Sequence, residues 1–98
     1  MATETIHYEN ARFAQQLYNN DPRNLATLEK ELGLKATSRE GWIKLDGAAE
    51  DLQRAKHLFA SLESLLKSGA TVKNREFLHA LNVVKHEGGT TLKEMVSD

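Results

Sequence analysis

Two short runs of strict alternation, meeting at Glu40-Gly41, constrain this chain more than any other feature. Over residues 34–39, Leu34 and Ala36 share one parity and Lys35, Thr37 and Arg39 the other. Over residues 42–46, Ile43 and Leu45 oppose Trp42, Lys44 and Asp46. Period two marks a strand with one buried face, and two strands this close in sequence pair as an antiparallel hairpin. Its core face is Leu34, Ala36, Ile43 and Leu45.

A third strand is expected at residues 4–9, where Ile6 and Tyr8 alternate with Thr5 and His7. Behind it Asn10 is placed to cap a helix over residues 11–19, carried by Phe13, Ala14, Leu17 and Tyr18 at helical spacing. Asn19-Asn20-Asp21-Pro22 interrupts that stripe. Proline pushes its predecessor out of the α region yet suits the first position of a new helix. Asp21 is then the N-cap, Leu25, Leu28 and Leu32 the buried face, and Gly33 the residue just past the end. After the hairpin, Leu52, Ala55, Phe59, Leu62 and Leu66 define the longest helix, residues 49–67, which Asp46 is placed to cap. Ser68-Gly69 stops it. A last helix over residues 74–86 carries Phe77, Leu81 and Val84, and Gly88-Gly89 is expected to end it. Leu92, Met95 and Val96 are then all that the tail offers a core. Three strands cannot bury both faces of a sheet, so the helices cover one face. The expected fold class is an α+β, two-layer β-α-α-β-β-α sandwich with an additional C-terminal helix.

Composition narrows function by exclusion. The 98 residues contain no cysteine, which removes disulfides, thiolate metal sites and thiol chemistry and fits a reducing, cytoplasmic setting. No apolar run approaches the ~20 residues of a membrane helix, and the opening Met-Ala-Thr-Glu-Thr is unlike a signal peptide. A net charge of −1 argues against strong non-specific nucleic-acid binding. His7, His57, His79 and His86 include no i, i+4 pair, so no metal site is expected. Glu29 and Glu31 fall on different sides of their helix and form no acid–base pair. No catalytic residue and no cofactor-binding residue is expected in this chain.

The element order, with its tight polar loop between the first two helices, resembles a K-homology (KH) domain of type I. The wording 17–29, Leu-Tyr-Asn-Asn-Asp-Pro-Arg-Asn-Leu-Ala-Thr-Leu-Glu, resembles PhoH-like proteins, as do Gly41-Trp42-Ile43-Lys44-Leu45-Asp46-Gly47 and the helix that follows. The likeness covers residues 6–87. It implies a KH-like domain over residues 4–87, with residues 88–98 as a flexible tail or the start of an interdomain linker. It further implies a parent protein whose P-loop ATPase domain, using ATP and magnesium, lies outside this chain. Gly88-Gly89-Thr90-Thr91 has neither the spacing nor the lysine of a phosphate-binding loop.

KH domains meet a nucleic-acid backbone at the loop between their first two helices. The resemblance therefore implies a single-stranded RNA site of Asn20, Arg23 and Asn24, with Lys35 and Arg39 along its groove. Glycine, which begins and ends the KH loop, is missing here, and Asn19 stands at one such position. Between Asn20 and Gly47, Arg23, Lys30, Lys35, Arg39 and Lys44 are matched by Asp21, Glu29, Glu31, Glu40 and Asp46. Any RNA affinity should therefore be weak and fall with salt. The alternative is a protein-interaction module. Trp42 beside basic residues suits either base stacking or a partner domain. Leu58, Leu65 and Leu78 widen the helical stripe beyond one face, which suits contact with an ATPase domain or a second copy of the chain.

Overall fold

The strands are β1 (Ala2–His7), β2 (Lys35–Arg39) and β3 (Trp42–Gly47), and the helices α1 (Ala11–Gln16), α2 (Pro22–Leu32), α3 (Ala49–Lys67) and α4 (Asn74–Ser97). In this computed structural model the backbone is described for residues 2–97 and the side chains for residues 2–86. The strands form one antiparallel sheet in the order β1-β3-β2. The chain is thus a mixed α+β fold, a three-stranded antiparallel sheet with four helices.

The sheet's inner face packs on helices. Ile43 and Leu45 from β3 are fully buried with Leu17, Leu28, Leu58, Phe59, Leu62, Val72 and Phe77. Each such side chain contributes roughly 1.5–3 kcal/mol through removal from water. α3 lies across β1 and β3, while α1 and α2 cover β2. α4 packs on α3 and α2, so it backs the helical layer instead of extending the cover of the sheet. An ion pair between Lys85 and Glu31 ties α4 to α2.

Most local expectations hold. Asn10 Oδ1 accepts from the Phe13 amide at 2.8 Å, and Asp21 Oδ1 from the Arg23 amide at 3.0 Å. Gly33 ends α2 at φ 69°. Gly47 is required by close approach, since a Cβ there would lie 2.8 Å from that of Leu34.

Four expectations need correction. α1 ends at Gln16, three residues early, because Asn19 and Asn20 turn left-handed at φ 60° and 52°. β1 starts at Ala2 and ends at His7, set by its register against β3. Asp46 does not cap α3, because β3 runs on to Gly47 and the cap position falls at Ala48. Asp46 accepts from the Thr3 hydroxyl at 2.6 Å instead. Finally, α4 spans Asn74–Ser97 and passes through Gly88-Gly89. A glycine costs a helix about 1 kcal/mol relative to alanine, a penalty and not a stop. The side chains of Leu92, Met95 and Val96 lie outside the described residues.

Candidate functional site

Two surfaces carry the residues singled out by sequence. The first is the loop joining α1 to α2. Leu17 and Tyr18 anchor its entry in the core, and the Tyr18 hydroxyl donates to Ser38 Oγ on β2 at 3.1 Å. Asn19 and Asn20 then turn the chain in left-handed conformations, which asparagine tolerates better than any other residue with a side chain except aspartate.

The loop's backbone donors are all engaged within the molecule. The Asn19, Asn20 and Asp21 amides donate to Gln16, Gln15 and Tyr18 carbonyls at 3.2, 2.7 and 3.2 Å. Arg23 donates to Asp21 Oδ1, Asn24 donates to the Asp21 carbonyl at 2.9 Å, and Pro22 has no amide to offer. Only side chains remain. Arg23 is 87% exposed, but its guanidinium grips Asp21 through two bonds, Nε–Oδ1 at 3.1 Å and Nη2–Oδ2 at 2.9 Å. Those bonds hold the Asp21 carboxyl below its ordinary range.

Asn24 differs from its expected place. It is 5% exposed, and its amide nitrogen donates to the Tyr18 carbonyl and to Asn74 Oδ1, both at 2.9 Å. Asn19 Nδ2 donates to the same Asn74 oxygen at 2.9 Å. Three asparagines thus clasp the loop to the start of α4. Asn24 holds the loop from inside because its position on α2 faces the core, where an amide must find partners. Beside the clasp is a cleft of about 460 Å3 lined by Phe13, Gln16, Asn19, Asn20, Leu66 and residues 69–72.

The second surface is the sheet's outer face. Register sets its residues in three rows of three: His7, Trp42 and Arg39; Thr5, Lys44 and Thr37; Thr3, Asp46 and Lys35. The helices pack against the other side, on Ile43 and Leu45. Among the described residues Lys35, Arg39 and Lys44 have no ion-pair partner, whereas Asp46 is held by Thr3. The five residues expected to make one site are therefore split. Asn20, Arg23 and Asn24 belong to the helical side, and Lys35 and Arg39 face away from it. Alternation explains this, since the parity that buries Leu34 and Ala36 turns Lys35 and Arg39 outward. His7 joins Trp42 only through pairing 35 residues apart, and Asn74 reaches the loop from 50 or more residues away. Neither has a local sequence signal.

The two remaining interface candidates stand apart. Trp42 is half-buried on the sheet, while Leu78 is 44% exposed on α4. Glu29 and Glu31 have separate tasks: Glu29 Oε2 accepts from the Ala36 amide at 2.9 Å on the β2 edge, and Glu31 pairs with Lys85.

This chain is similar to a PhoH-like protein of Bacillus subtilis (strain 168), with 31% identity over 72 residues. The alignment covers 74% of this chain, which spans only 23% of that relative's length. No protein-family model and no solved structure matches. Among the described residues no helix is long and apolar enough to cross a membrane, and no three His, Asp or Glu side chains gather as a metal site.

Proposed function

We propose that the chain is a KH-like accessory domain of a PhoH-like protein and that it holds single-stranded RNA for an ATPase domain elsewhere in the parent chain. The observation that carries this reading is the topology, a β-α-α-β-β-α order on a β1-β3-β2 antiparallel sheet with a tight loop between the first two helices. The similarity to a PhoH-like protein across three quarters of the chain supports it. In this reading the domain itself is not an enzyme. ATP and magnesium serve the parent, and residues 88–98 lead toward its next domain. Asn20 and Arg23 offer side chains at the loop, and Asn24 positions them.

The test is a fluorescence-anisotropy titration of the 98-residue chain with a short mixed-sequence single-stranded RNA at low and physiological salt. Saturable binding that weakens as salt rises is the expected result. An absence of binding at low salt would sink the reading.

A second reading has its own observation. Leu78, Val83 and Leu65 are exposed large apolar side chains on α3 and α4, as a surface docked on another domain or a second copy would show. It expects self-association, or binding to the parent's ATPase domain, that Leu78→Glu abolishes in sedimentation analysis.

A further inference from the structure

The loop has little left to give a phosphate, while the opposite side of the molecule has unpaired charge and an aromatic ring. We propose that the outer face of the sheet is a binding platform for single-stranded nucleic acid, with a base stacked on Trp42 and the backbone tracked by Arg39, Lys44 and Lys35. The proposal rests on the nucleic-acid reading above and moves its centre from the α1–α2 loop to the strands.

Three features of the face argue for this occupant. The first is charge. Three basic side chains, with no ion-pair partner among the described residues, meet one carboxylate, Asp46, at the far row from Trp42 and already bonded to Thr3. A polyanion gains from that excess, because its counterions are released as each phosphate is neutralised. The second is order. Trp42 sits between His7 and Arg39 in a single row, so an aromatic platform has an imidazole on one side and a guanidinium on the other. Both are groups that stack on or beside bases. The third is spacing. Neighbouring strands lie ~4.8 Å apart and same-face residues along a strand ~6.6–6.8 Å apart. Arg39 and Lys35 on β2, with Lys44 on β3 in the row between them, thus form a zigzag that nucleotide phosphates can follow. The remaining positions are Thr3, already donating to Asp46, and Thr5 and Thr37, whose hydroxyls donate or accept without demanding a particular base. A protein partner would ask for an apolar centre, and this face has none beyond Trp42.

Trp42 is the sole tryptophan, so its emission reports directly on the site. The full chain is titrated with a ten-nucleotide mixed-sequence single-stranded RNA, the same sequence as single-stranded DNA, and its duplex. Each is followed by Trp42 emission and by anisotropy. Saturable quenching with both single strands is expected, with the duplex much weaker. Arg39→Gln with Lys44→Gln should weaken binding about tenfold and reduce the salt slope by ~1.4, at ~0.7 per lost single-strand phosphate contact. Trp42→Leu should weaken it by a similar factor, and Arg23→Ala, whose guanidinium is already held by Asp21, by less than either. All three proteins are first checked for an unchanged circular-dichroism spectrum.

Anisotropy binding without Trp42 quenching, indifferent to the double variant and lost in Arg23→Ala, would overturn the platform and leave the RNA reading standing at the loop. Equal affinity for the duplex would overturn stacking. Binding to neither single strand at low salt would remove both readings together. A shift of Trp42 emission on self-association alone would make the face a protein interface and overturn the proposal.

Discussion

The α1–α2 loop and the outer sheet face are both polar and exposed, but they differ in what their donors are doing. In the loop every backbone amide from Asn19 to Asn24 is bonded internally, Arg23 is bound to Asp21, and Asn19 and Asn24 share the Asn74 oxygen. On the sheet, the side chains of Lys35, Arg39 and Lys44 make no ion pair or hydrogen bond among the described residues. A polar group already satisfied must lose a bond before it gains one from a ligand, so its net contribution to binding is small. Family resemblance drew attention to the loop, whereas unused bonding capacity draws it to the strands.

The sharpest way to break this comparison is Asn24→Ala. It removes one buried and one half-buried hydrogen bond, from the Tyr18 carbonyl and from Asn74 Oδ1, which keeps only Asn19, at a cost of roughly 2–3 kcal/mol. Near 100 residues each kcal/mol shifts Tm by about 4–8 °C, so thermal denaturation should show a fall of about 8–24 °C. An unchanged Tm would mean that the clasp is not a structural device. By contrast Lys44→Gln, at an exposed strand position, should move stability by less than about 0.5 kcal/mol.

A smaller effect is expected at Asn20. At φ 52°, alanine should cost ~1 kcal/mol, while glycine should be neutral or slightly stabilising. Urea denaturation of the pair separates them. Equal stability for the two variants would show that the left-handed turn relaxes elsewhere in solution.

Most of the fold was legible because its signals are local. Parity gives the hairpin with its correct inner face, and the Asn10 and Asp21 caps and the Gly33 terminus lie within four residues of the bonds they make. Misjudged features depend on distance or competition. Nothing near Asn24 says that its amide will be buried against Asn74. Asp46 has the chemistry of a cap, but strand pairing with Thr3 takes it first. The site is half legible: parity alone puts Lys35, Arg39, Trp42 and Lys44 on the outer face of the hairpin, but only the register with β1 adds His7, and only the packing of the helices sets that face apart from the loop.

Asp21, which holds both the start of α2 and the Arg23 guanidinium, gives a further test. Asp21→Ala removes an N-cap, at about 0.5–2 kcal/mol, and frees Arg23 at the same time. Stability should fall while RNA affinity rises a few-fold, an opposite pairing of signs that no substitution of Lys35, Arg39, Trp42 or Lys44 produces. A fall in both would mean that the loop's shape matters more than its charge.

The smallest effect expected is one of pH. Hydrogen bonds from Arg23 hold the Asp21 carboxyl below its ordinary 3.8, a bond from Lys85 holds Glu31 below 4.5, and backbone bonds from its own amide and that of Lys73 do the same for Glu76. In each case the folded state favours the ionised form. The stability so contributed is fully present above those ordinary values and is lost as pH falls through the depressed ones. Tm should therefore be flat from pH 7 to about 5 and decline below 4.5. Because these carboxylates are solvated, the contribution of each is modest and shrinks with salt. Asp21→Asn should flatten the most acidic part of the decline, since Asp21 has the lowest ordinary value of the three. An identical acid limb in that variant would show that the Arg23 bonds seen at the loop are not maintained in solution. Arg23 would then be as available to a phosphate as the lysines of the sheet, and the contrast between the two surfaces would narrow.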